Sequence, residues 1–379
     1  MSSDNELKNQ SLVPSNAKGL TRYSSELIRR GLDLAKGLEQ SKLAVEVDKQ
    51  TTEIKKYQKQ TWKCIHTLTE RLDSVCSVAI SPDSQTLASS STNSFYDATN
   101  SILIRYSETK LWNIHTGNLL RTLPGCRLDA ISPDGRIIAS SGSDSGTEPW
   151  NIYIRDIYTR KLLKILSGHF GGVSCLAFSC DGQTLASGSY ASEGGTLKVW
   201  NLNTGKVICT IYRNVGKSVF SVAISPDGQT LASIEAEQII IWNLYTGELL
   251  RTFYYSGYSE CVAFSPDGKI LAGGSEGDTI MLWHPQTGEL LSTLSGQEGD
   301  VLSIAFSSDG QTLASASSEN IKIWDVYTGE LLHTLTGNSN SVESIAFSPD
   351  GLTLVSGCSI YDEEMDDDYG IIEIWRLSA

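Results

Sequence analysis

Short apolar segments and turn-forming residues alternate along the chain from about residue 61 onward. In one stretch "VLSIAF" (301–306), "QTLASAS" (311–317), "IKIW" (321–324) and "ELLHTL" (330–335) follow one another, and we name these segments strands a, b, c and d. Alternation of apolar with small or polar residues has the two-residue period of a half-buried β-strand. The connections include tight turns such as "SPDG" and "YTG", in which proline presets φ and glycine takes the positive φ that closes a hairpin. The pattern therefore predicts antiparallel strands joined by short connections.

The four-strand unit occurs seven times along the chain. Each copy contains a segment like "AFSPDGKILAGGS", and these segments begin at Ala79, Ala130, Ala177, Ala223, Ala263, Ala305 and Ala346. The turn aspartates of successive copies are separated by 51, 47, 46, 40, 42 and 41 residues. A period of about 40–50 residues with short strand segments is typical of a β-propeller, in which each copy forms one blade.

The residues at the end of strand c resemble those of a known protein family. Strand c ends in tryptophan in six copies, namely Trp112, Trp200, Trp242, Trp283, Trp324 and Trp375. The dipeptide Trp324–Asp325 and the pair Gly168–His169 each occur once. With these residues the chain resembles WD-repeat β-propellers over residues 61–379. The resemblance implies an all-β, seven-bladed β-propeller of four-stranded antiparallel blades, and the "SPDGQTLAS" style is similar to bacterial members, which implies a prokaryotic cytoplasm.

One structural feature of that family is incomplete in this sequence. The family's hydrogen-bonded tetrad requires an aspartate in the turn between strands b and c. Copy three has the Gly168–His169 pair, but its b–c turn reads "SYASEGG" (189–195). We therefore expect little local rigidity from such networks, and a fold that depends on apolar packing.

The two ends of the repeat array complement each other. Strand d is missing after copy seven, whereas a d-like segment, "KCIHTL" (63–68), precedes copy one, so strand 62–68 is predicted to close the last blade. Before it we predict a disordered tail (1–20) and a short helical, basic arm (21–60), whose helix begins after Ser24 or Ser25. The apolar stripe of this helix would pack on the propeller or dock on a partner protein, and the sequence leaves both open.

The charge distribution narrows the classes of partner. Residues 1–60 carry eleven Lys/Arg and eight Asp/Glu, whereas the remainder carries 19 and 36, within a net charge of −14. Such an acidic body repels phosphate backbones, which argues against nucleic acid as a partner. No apolar run is long enough to cross a membrane, and residues 1–20 lack the apolar core of a signal peptide. We therefore expect a cytoplasmic protein with no membrane partner.

The sequence shows no arrangement of residues that points to catalysis. Among the eight cysteines no pair has CxxC or zinc-like spacing, and Cys175 and Cys261 occupy a strand a position that is serine in other copies, so we expect small, packed, reduced thiols. His66 and His333 share a strand d position with arginine, lysine or serine in other copies, which predicts an exposed position. His169 corresponds to a packing residue of the family. We therefore predict no enzyme activity, no catalytic residue and no cofactor.

The connections between strands b and c differ most among the copies. They are enlarged in copies one (91–110), two (141–151), three (189–195) and seven (359–370), whose blades are consecutive in a closed ring. In the resembling family these connections share one face, and loops on a rigid scaffold commonly bind partners. The alternative is that they are variable loops in solvent. The candidate partner-binding residues are Phe95, Tyr96, Trp150, Tyr190, Tyr361, Asp362, Glu363, Glu364, Asp366, Asp367 and Asp368.

The acidic residues at 362–368 favour a basic protein or peptide as the partner. Asp366-x-Asp368-x-Gly370 is only a fragment of a calcium-binding loop, so we assign no metal ligand. The leading interpretation is a non-enzymatic interaction scaffold. The alternatives are a regulatory or assembly subunit that acts through its N-terminal helix, and a propeller that binds a small ligand or metal ion in its central channel. The inner positions of strand a are mostly Ser, Ala and Val, which offers little for the last alternative.

Overall fold

The computed structural model describes most of the repeat array, and all structural statements below concern those residues. They are residues 60–69, 74–97, 102–142, 150–190, 195–213, 218–235, 237–255, 260–275, 278–318, 320–337, 341–362 and 367–378. The predicted tail and all but the last residue of the predicted arm lie outside them. Every regular element in the described part is a β-strand. None of its residues lies in a helix of the length and apolarity that a membrane crossing requires.

The strands form seven four-stranded antiparallel sheets, which confirms the all-β, seven-bladed propeller. The first strand is β1 (Thr61–Thr69). Blade one contains β2 (Ser74–Ile80), β3 (Thr86–Asp97), β4 (Ile102–Asn113) and β5 (Leu119–Pro124). Blade two contains β6 (Ala130–Ile131), β7 (Ile137–Ser141), β8 (Ile152–Asp156) and β9 (Leu162–Leu166). Blade three contains β10 (Gly172–Phe178), β11 (Thr184–Tyr190), β12 (Thr196–Asn201) and β13 (Lys206–Tyr212).

The remaining four blades follow in chain order. Blade four contains β14 (Ser221–Ile224), β15 (Thr230–Glu235), β16 (Gln238–Asn243) and β17 (Leu249–Tyr254). Blade five contains β18 (Val262–Phe264), β19 (Leu271–Ser275), β20 (Thr279–Trp283) and β21 (Leu290–Ser295). Blade six contains β22 (Ser303–Phe306), β23 (Thr312–Ala316), β24 (Ile321–Asp325) and β25 (Leu331–Leu335). Blade seven contains β26 (Ser341–Phe347), β27 (Thr353–Asp362) and β28 (Asp367–Ser378), together with β1.

The first strand of the array belongs to the last blade. The strand order of blade seven is β1-β28-β27-β26, and the register runs from Thr61 opposite Ser378 to Thr69 opposite Ile371. The hydroxyl oxygens of Thr61 and Ser378 lie 2.7 Å apart. β1 therefore covers the edge of β28 that would otherwise be exposed to other chains.

The hydrophobic core is divided into clusters that lie between neighbouring blades. The first strands of blades two to seven contact one another in turn, and the first strand of blade seven contacts that of blade one, so these strands surround the centre of the ring. The cluster between blades seven and one joins Val75 and Val78 to Val355 and Ile372. Across the same boundary the Val78 N–H donates to the Ser344 hydroxyl at 3.2 Å. The ring therefore closes by the same kind of packing that joins its other blades.

The tight turns between strands a and b are held by an aspartate in each copy. In blade five the Ser265 hydroxyl donates to Asp267 Oδ1 at 2.7 Å, and the Lys269 N–H donates to the same oxygen at 3.1 Å. In blade one the equivalent bonds from Ser81 and from the Gln85 N–H hold the pKa of the Asp83 carboxyl below its usual value. The repeated aspartates are therefore structural.

Tryptophans at the ends of the third strands are anchored by buried hydrogen bonds. The indole N–H of Trp200 donates to the Ser187 hydroxyl at 2.8 Å, and Trp242 and Trp324 make the same bond in blades four and six. In blade three the His169 ring continues the network, since its Nε2 lies 2.6 Å from Ser187 Oγ and its Nδ1 lies 2.6 Å from Thr196 Oγ1. Thr196 thus takes the place expected of an aspartate.

Other residues complete the network where histidine is missing. In blade six Gln297 accepts from the Ser315 hydroxyl at 2.8 Å and donates to Ser317 at 3.0 Å. In blade four the Arg213 guanidinium lies over the ring of Trp242, 4.9 Å from its centroid, and donates to the buried Glu235 carboxylate at 2.6 Å. Residues of other types therefore satisfy the buried atoms of these networks, although copy three lacks the family's aspartate.

Candidate interaction surface

The two ends of every blade differ in construction. One end carries the hairpin connections between second and third strands and the segments that lead from one blade to the next, and we call it the b–c face. The opposite end, which we call the turn face, carries the tight turns between first and second and between third and fourth strands. Turn-face connections are short in every blade, so variation among the blades is concentrated on the b–c face.

Two neighbouring blades have extended hairpins on the b–c face. The paired strands β3 and β4 have 12 residues each, and β27 and β28 have 10 and 12, whereas β15 and β16 have 6 each. Pairing continues to Asp97 opposite Ile102 in blade one and to Asp362 opposite Asp367 in blade seven. At about 3.3 Å per residue, five extra residues lengthen a hairpin by roughly 15 Å. The insertions are therefore ladder-paired hairpins rather than irregular loops.

The structure locates most of the predicted partner-binding residues. Phe95 and Tyr96 lie in β3, opposite Ile104 and Leu103, and Tyr361 and Asp362 lie in β27, opposite Asp368 and Asp367. For the six predicted residues among them, the structure describes the backbone alone: Phe95, Tyr96, Tyr361, Asp362, Asp367 and Asp368. Glu363, Glu364 and Asp366 lie outside the described residues.

Trp150 and Tyr190 are the predicted residues whose side chains are described. Trp150 precedes β8 and is 52% exposed, and Tyr190 ends β11 and is 54% exposed. The Tyr190 ring lies against Gly172, since a Cβ at that glycine would be only 2.8 Å from the tyrosine Oη. The ring is thus positioned by backbone while half of it faces solvent. Exposed Trp and Tyr side chains are over-represented among the residues that dominate protein interfaces.

Further aromatic side chains on the same face were missed from the sequence. Phe170 is 71% exposed, Tyr212 70% and Tyr254 74%, all more than Trp150. They lie at the ends of fourth strands or in the segments that lead to the next blade. These segments lie on the b–c face, as the hairpins do. The position of the three aromatic residues in the repeat was therefore sufficient to predict that they lie on this face.

A charged pair lies near Tyr190 on the same face. Arg127 Nε lies 2.6 Å from Asp129 Oδ1, and Asp129 Oδ2 also accepts the Ser141 N–H at 2.5 Å. The Asp129 charge raises the pKa of the Arg127 guanidinium above its usual value. Arginine is the third residue type enriched in interface hot spots, and neither residue was expected from the sequence.

Blades five to seven bring carboxylates together at the inner end of the b–c face. Glu260 precedes β18, Asp300 precedes β22 and Glu343 lies in β26. Burial, followed by the charges of Glu343 and Asp300, raises the pKa of the Glu260 carboxyl. The expectation that the inner strands offer little to titrate therefore needs correction here. Among the described residues no group of three or more His, Cys, Asp or Glu is arranged to hold a metal ion.

Several histidines and cysteines of the described part serve packing or contacts between blades. Burial and the neighbouring Lys198 lower the pKa of His169 to about 3, so this ring is neutral. Burial raises the pKa of the Cys175 and Cys261 thiols to about 12, and none of the eight cysteines, all of which lie in the described part, forms a disulfide. The His66 position, predicted to be exposed, ties blades together, because its Nε2 donates to the His115 carbonyl at 2.9 Å.

Comparison with known proteins places the repeats among characterised sequences. A family model described as "WD domain, G-beta repeat" matches residues 62–97, 160–201, 247–284, 288–325 and 329–364, which together make up half of the chain. Apoptotic protease-activating factor 1 of Homo sapiens is 32% identical over 190 residues, which cover 45% of this chain and 14% of that protein.

Two further relatives cover similar parts of the chain. WD repeat-containing protein SL1-17 of Schistosoma mansoni is 31% identical over 170 residues, 44% of this chain and 54% of that protein. Autophagy-related protein 16 of Arabidopsis thaliana is 28% identical over 216 residues, 55% of this chain and 38% of that protein. The matched stretch is less than two thirds of the length of each of these relatives.

Proposed function

The chain belongs to the WD-repeat family, and from this premise we propose that it is a non-enzymatic interaction scaffold that binds a protein or peptide through the b–c face of blades seven, one, two and three. The observation that carries the proposal is the pair of extended hairpins, β3–β4 and β27–β28, on neighbouring blades. In blade seven the added pair Ile360 and Tyr369 packs against the core between blades six and seven. Both hairpins continue past the length that the other blades need, and a binding role accounts for this extra length on one face of the ring.

The side chains beside these hairpins support the same surface. Trp150 and Tyr190 present half-exposed rings in blades two and three, and Arg127 lies on the segment between blades one and two. Large aromatic and arginine side chains supply most of the binding energy in protein interfaces. Asp362, Asp367 and Asp368 are in the blade seven hairpin, which favours a basic partner and faster encounter at low salt. The matched part recurs in differently named proteins, which fits a binding module rather than one reaction.

The first test neutralises the acidic hairpin. Replacing the six acidic residues between 362 and 368 by Asn or Gln should leave the melting temperature unchanged, because the substitutions remove charge while they keep the size of each side chain. A partner identified by pull-down with the full chain and mass spectrometry should bind the variant about tenfold more weakly at low salt. The matched control is the pair Glu248→Gln and Glu289→Gln, which removes exposed acids from the turn face. Equal affinity of the hairpin variant and the control would count against the proposal.

The second test shortens the hairpin of blade one. Residues 94–105 would be replaced by Asn-Gly, which closes a tight turn directly after the Asn93–Tyr106 pair. The fold should persist and partner capture should fall. The alternative function through the N-terminal arm predicts the opposite dependence: deletion of residues 1–59 would abolish capture, while both hairpin variants would bind as the full chain does.

A further inference from the structure

One position fills the gap between each blade and the one before it. It lies two residues after the strand c position that is tryptophan in six of the seven blades. In five blades the residue at this position is buried and aliphatic: Ile114, Ile157, Leu202, Leu244 and Val326. In each case the side chain belongs to the core cluster shared with the preceding blade. We call this residue the plug of its blade.

The plug also makes a backbone hydrogen bond across the turn face. The plug N–H donates to a carbonyl oxygen of the same blade at 2.8–3.0 Å. That carbonyl belongs to the residue directly after the tight turn between strands a and b. These bonds are Ile114 to Gln85, Ile157 to Arg136, Leu202 to Gln183, Leu244 to Gln229, Val326 to Gln311 and Leu377 to Leu352. Six blades thus place an amide donor and an aliphatic side chain at the same point.

Blade five departs from this rule because its plug is Pro285. Proline has no N–H, so the bond to the Lys269 carbonyl, which is equivalent to the other six, cannot form. The short ring also reaches less far than the branched side chain of leucine or isoleucine. Pro285 is itself buried, but it supplies neither the donor nor the reach of the plugs in the other blades.

A cavity lies beside Pro285. It has a volume of about 560 Å³ and opens on the turn face between blades four and five. Ile241, Leu250 and Phe264 line it with apolar atoms, and Pro285 and Lys269 also border it. At the equivalent point between blades one and two, where Ile157 is present, only about 10 Å³ is left. Small-molecule and peptide pockets commonly have volumes of about 300–1,000 Å³.

We propose that this groove is a second binding site, which takes an extended peptide with an aliphatic anchor residue. The anchor side chain would occupy the apolar cavity beside Pro285, against Ile241 and Leu250, and its backbone N–H would donate to the Lys269 carbonyl. The site thus accepts from a partner the two groups that the other blades supply themselves. It lies on the face opposite the hairpins, so it is independent of the proposed function.

Charge contributes little to the selectivity of this groove. Its rim carries Asp227 and Asp267 as well as Arg251 and Lys269, so both signs are present. Asp267 is engaged by Ser265 and Lys269, and Arg251 Nη2 donates to the Gln286 carbonyl at 2.6 Å. Selectivity therefore resides in the aliphatic anchor and its amide, and a charged residue at the anchor position would be excluded by the apolar wall.

The test uses a minimal probe and methyl NMR of the full chain. N-acetyl-leucine N′-methylamide carries both groups, and its analogue methylated at the leucine nitrogen lacks the donor. The first probe should shift the Ile241 and Leu250 methyl signals with saturation at millimolar concentration. The analogue should bind about tenfold more weakly, as expected for a lost hydrogen bond in a desolvated site. Absence of shifts at these methyls, or equal binding of both probes, would overturn the proposal.

Variants of the groove make the test independent of one substitution. Pro285→Leu supplies both a side chain and an N–H, so it should abolish binding and raise the melting temperature. Leu250→Lys changes an exposed wall residue and should weaken binding about tenfold, with Ile241 as the reporter. Its matched control is Leu291→Lys at the equivalent position of blade five, beside a groove that Val326 fills, and it should bind as the unaltered chain does. Unchanged binding in Pro285→Leu or Leu250→Lys would refute the site.

Discussion

At the scale of single residues, buried polar atoms decide which substitutions a blade accepts. A tryptophan indole N–H donates to a serine hydroxyl in blades three, four and six, and that serine needs a further partner. His169, Glu235 and Gln297 fill this role in these three blades, in that order. An unsatisfied buried polar atom costs about 1–3 kcal/mol. The position therefore accepts different polar side chains that reach the serine, but not an apolar one.

The neutral ring of His169 makes stability depend on pH. The pKa of this ring is about 3 in the folded protein and 6.5 when unperturbed. Above pH 6.5 the ring is neutral in both the folded and the unfolded state, so its burial costs no stability through protonation. As the pH falls from 6.5 to about 3, the unfolded state takes up a proton that the folded state excludes. The free energy of unfolding should then decrease by about 1.4 kcal/mol per pH unit. Urea denaturation between pH 7 and pH 4 would measure this slope.

The matched variant for this prediction is His169→Gln. Blade six shows that glutamine at the equivalent position satisfies the serine, so the variant should fold, and its stability should change much less over the same pH range. A slope equal to that of the unaltered chain would show that another group is responsible.

A turn residue in blade one offers a second prediction at this scale. Ser84 has φ of +57°, where the other six blades have glycine at +67° to +71°. Left-handed backbone is costly for a residue with a Cβ, so Ser84→Gly should stabilise the fold by about 0.5–1 kcal/mol in thermal or urea unfolding. The reverse change, Gly228→Ser, should destabilise it by a similar amount, because an added Cβ there meets no atom within 4 Å and only the backbone is strained. The argument fails if both changes have the same sign.

At the scale of elements, short strands and turns were predictable because their signals are local. Two-residue alternation and the "SPDG" and "YTG" turns indicate where each strand begins and ends. The β3–β4 extension was not predictable in the same way, since Ser91–Thr109 reads as polar loop and its pairing depends on a partner strand. The tryptophan networks were missed for a similar reason: His169 and Thr196 are 27 residues apart in sequence.

The closing strand gives a prediction at the scale of elements. A chain that lacks residues 1–69 should melt at least about 10 °C below one that lacks residues 1–59, because removing β1 exposes β28 and the Leu68 contact with blade one. Unfolding entropy is about 2.1 cal/mol/K per residue, so for a fold of this size each kcal/mol corresponds to about 1.5 °C. Differential scanning calorimetry of the two truncations isolates the contribution of β1. Identical melting temperatures would show that the ring does not depend on this strand.

At the scale of the whole molecule, sevenfold repetition fixed the architecture and exceptions to it indicate the candidate sites. The number of blades follows from the spacing of seven aspartate turns. The enlarged connections were visible in the sequence, and so was proline at position 285. The cavity beside Pro285 could not be predicted, because its existence depends on how neighbouring blades pack. The exposed rings of Phe170 and Tyr254 likewise become a surface only when the segments between blades are placed on one face.

The position of β1 also has a consequence during synthesis. Thr61 and Ser378, which pair at one end of β1, are 317 residues apart in the chain. At a translation rate of about 5–20 residues per second, β1 leaves the ribosome roughly 15–60 s before its partner strand exists. Throughout that interval its backbone donors and acceptors are available to any other nascent chain. We therefore expect the yield of active protein to fall with crowding of ribosomes on the message and to rise when a chaperone shields the first seventy residues.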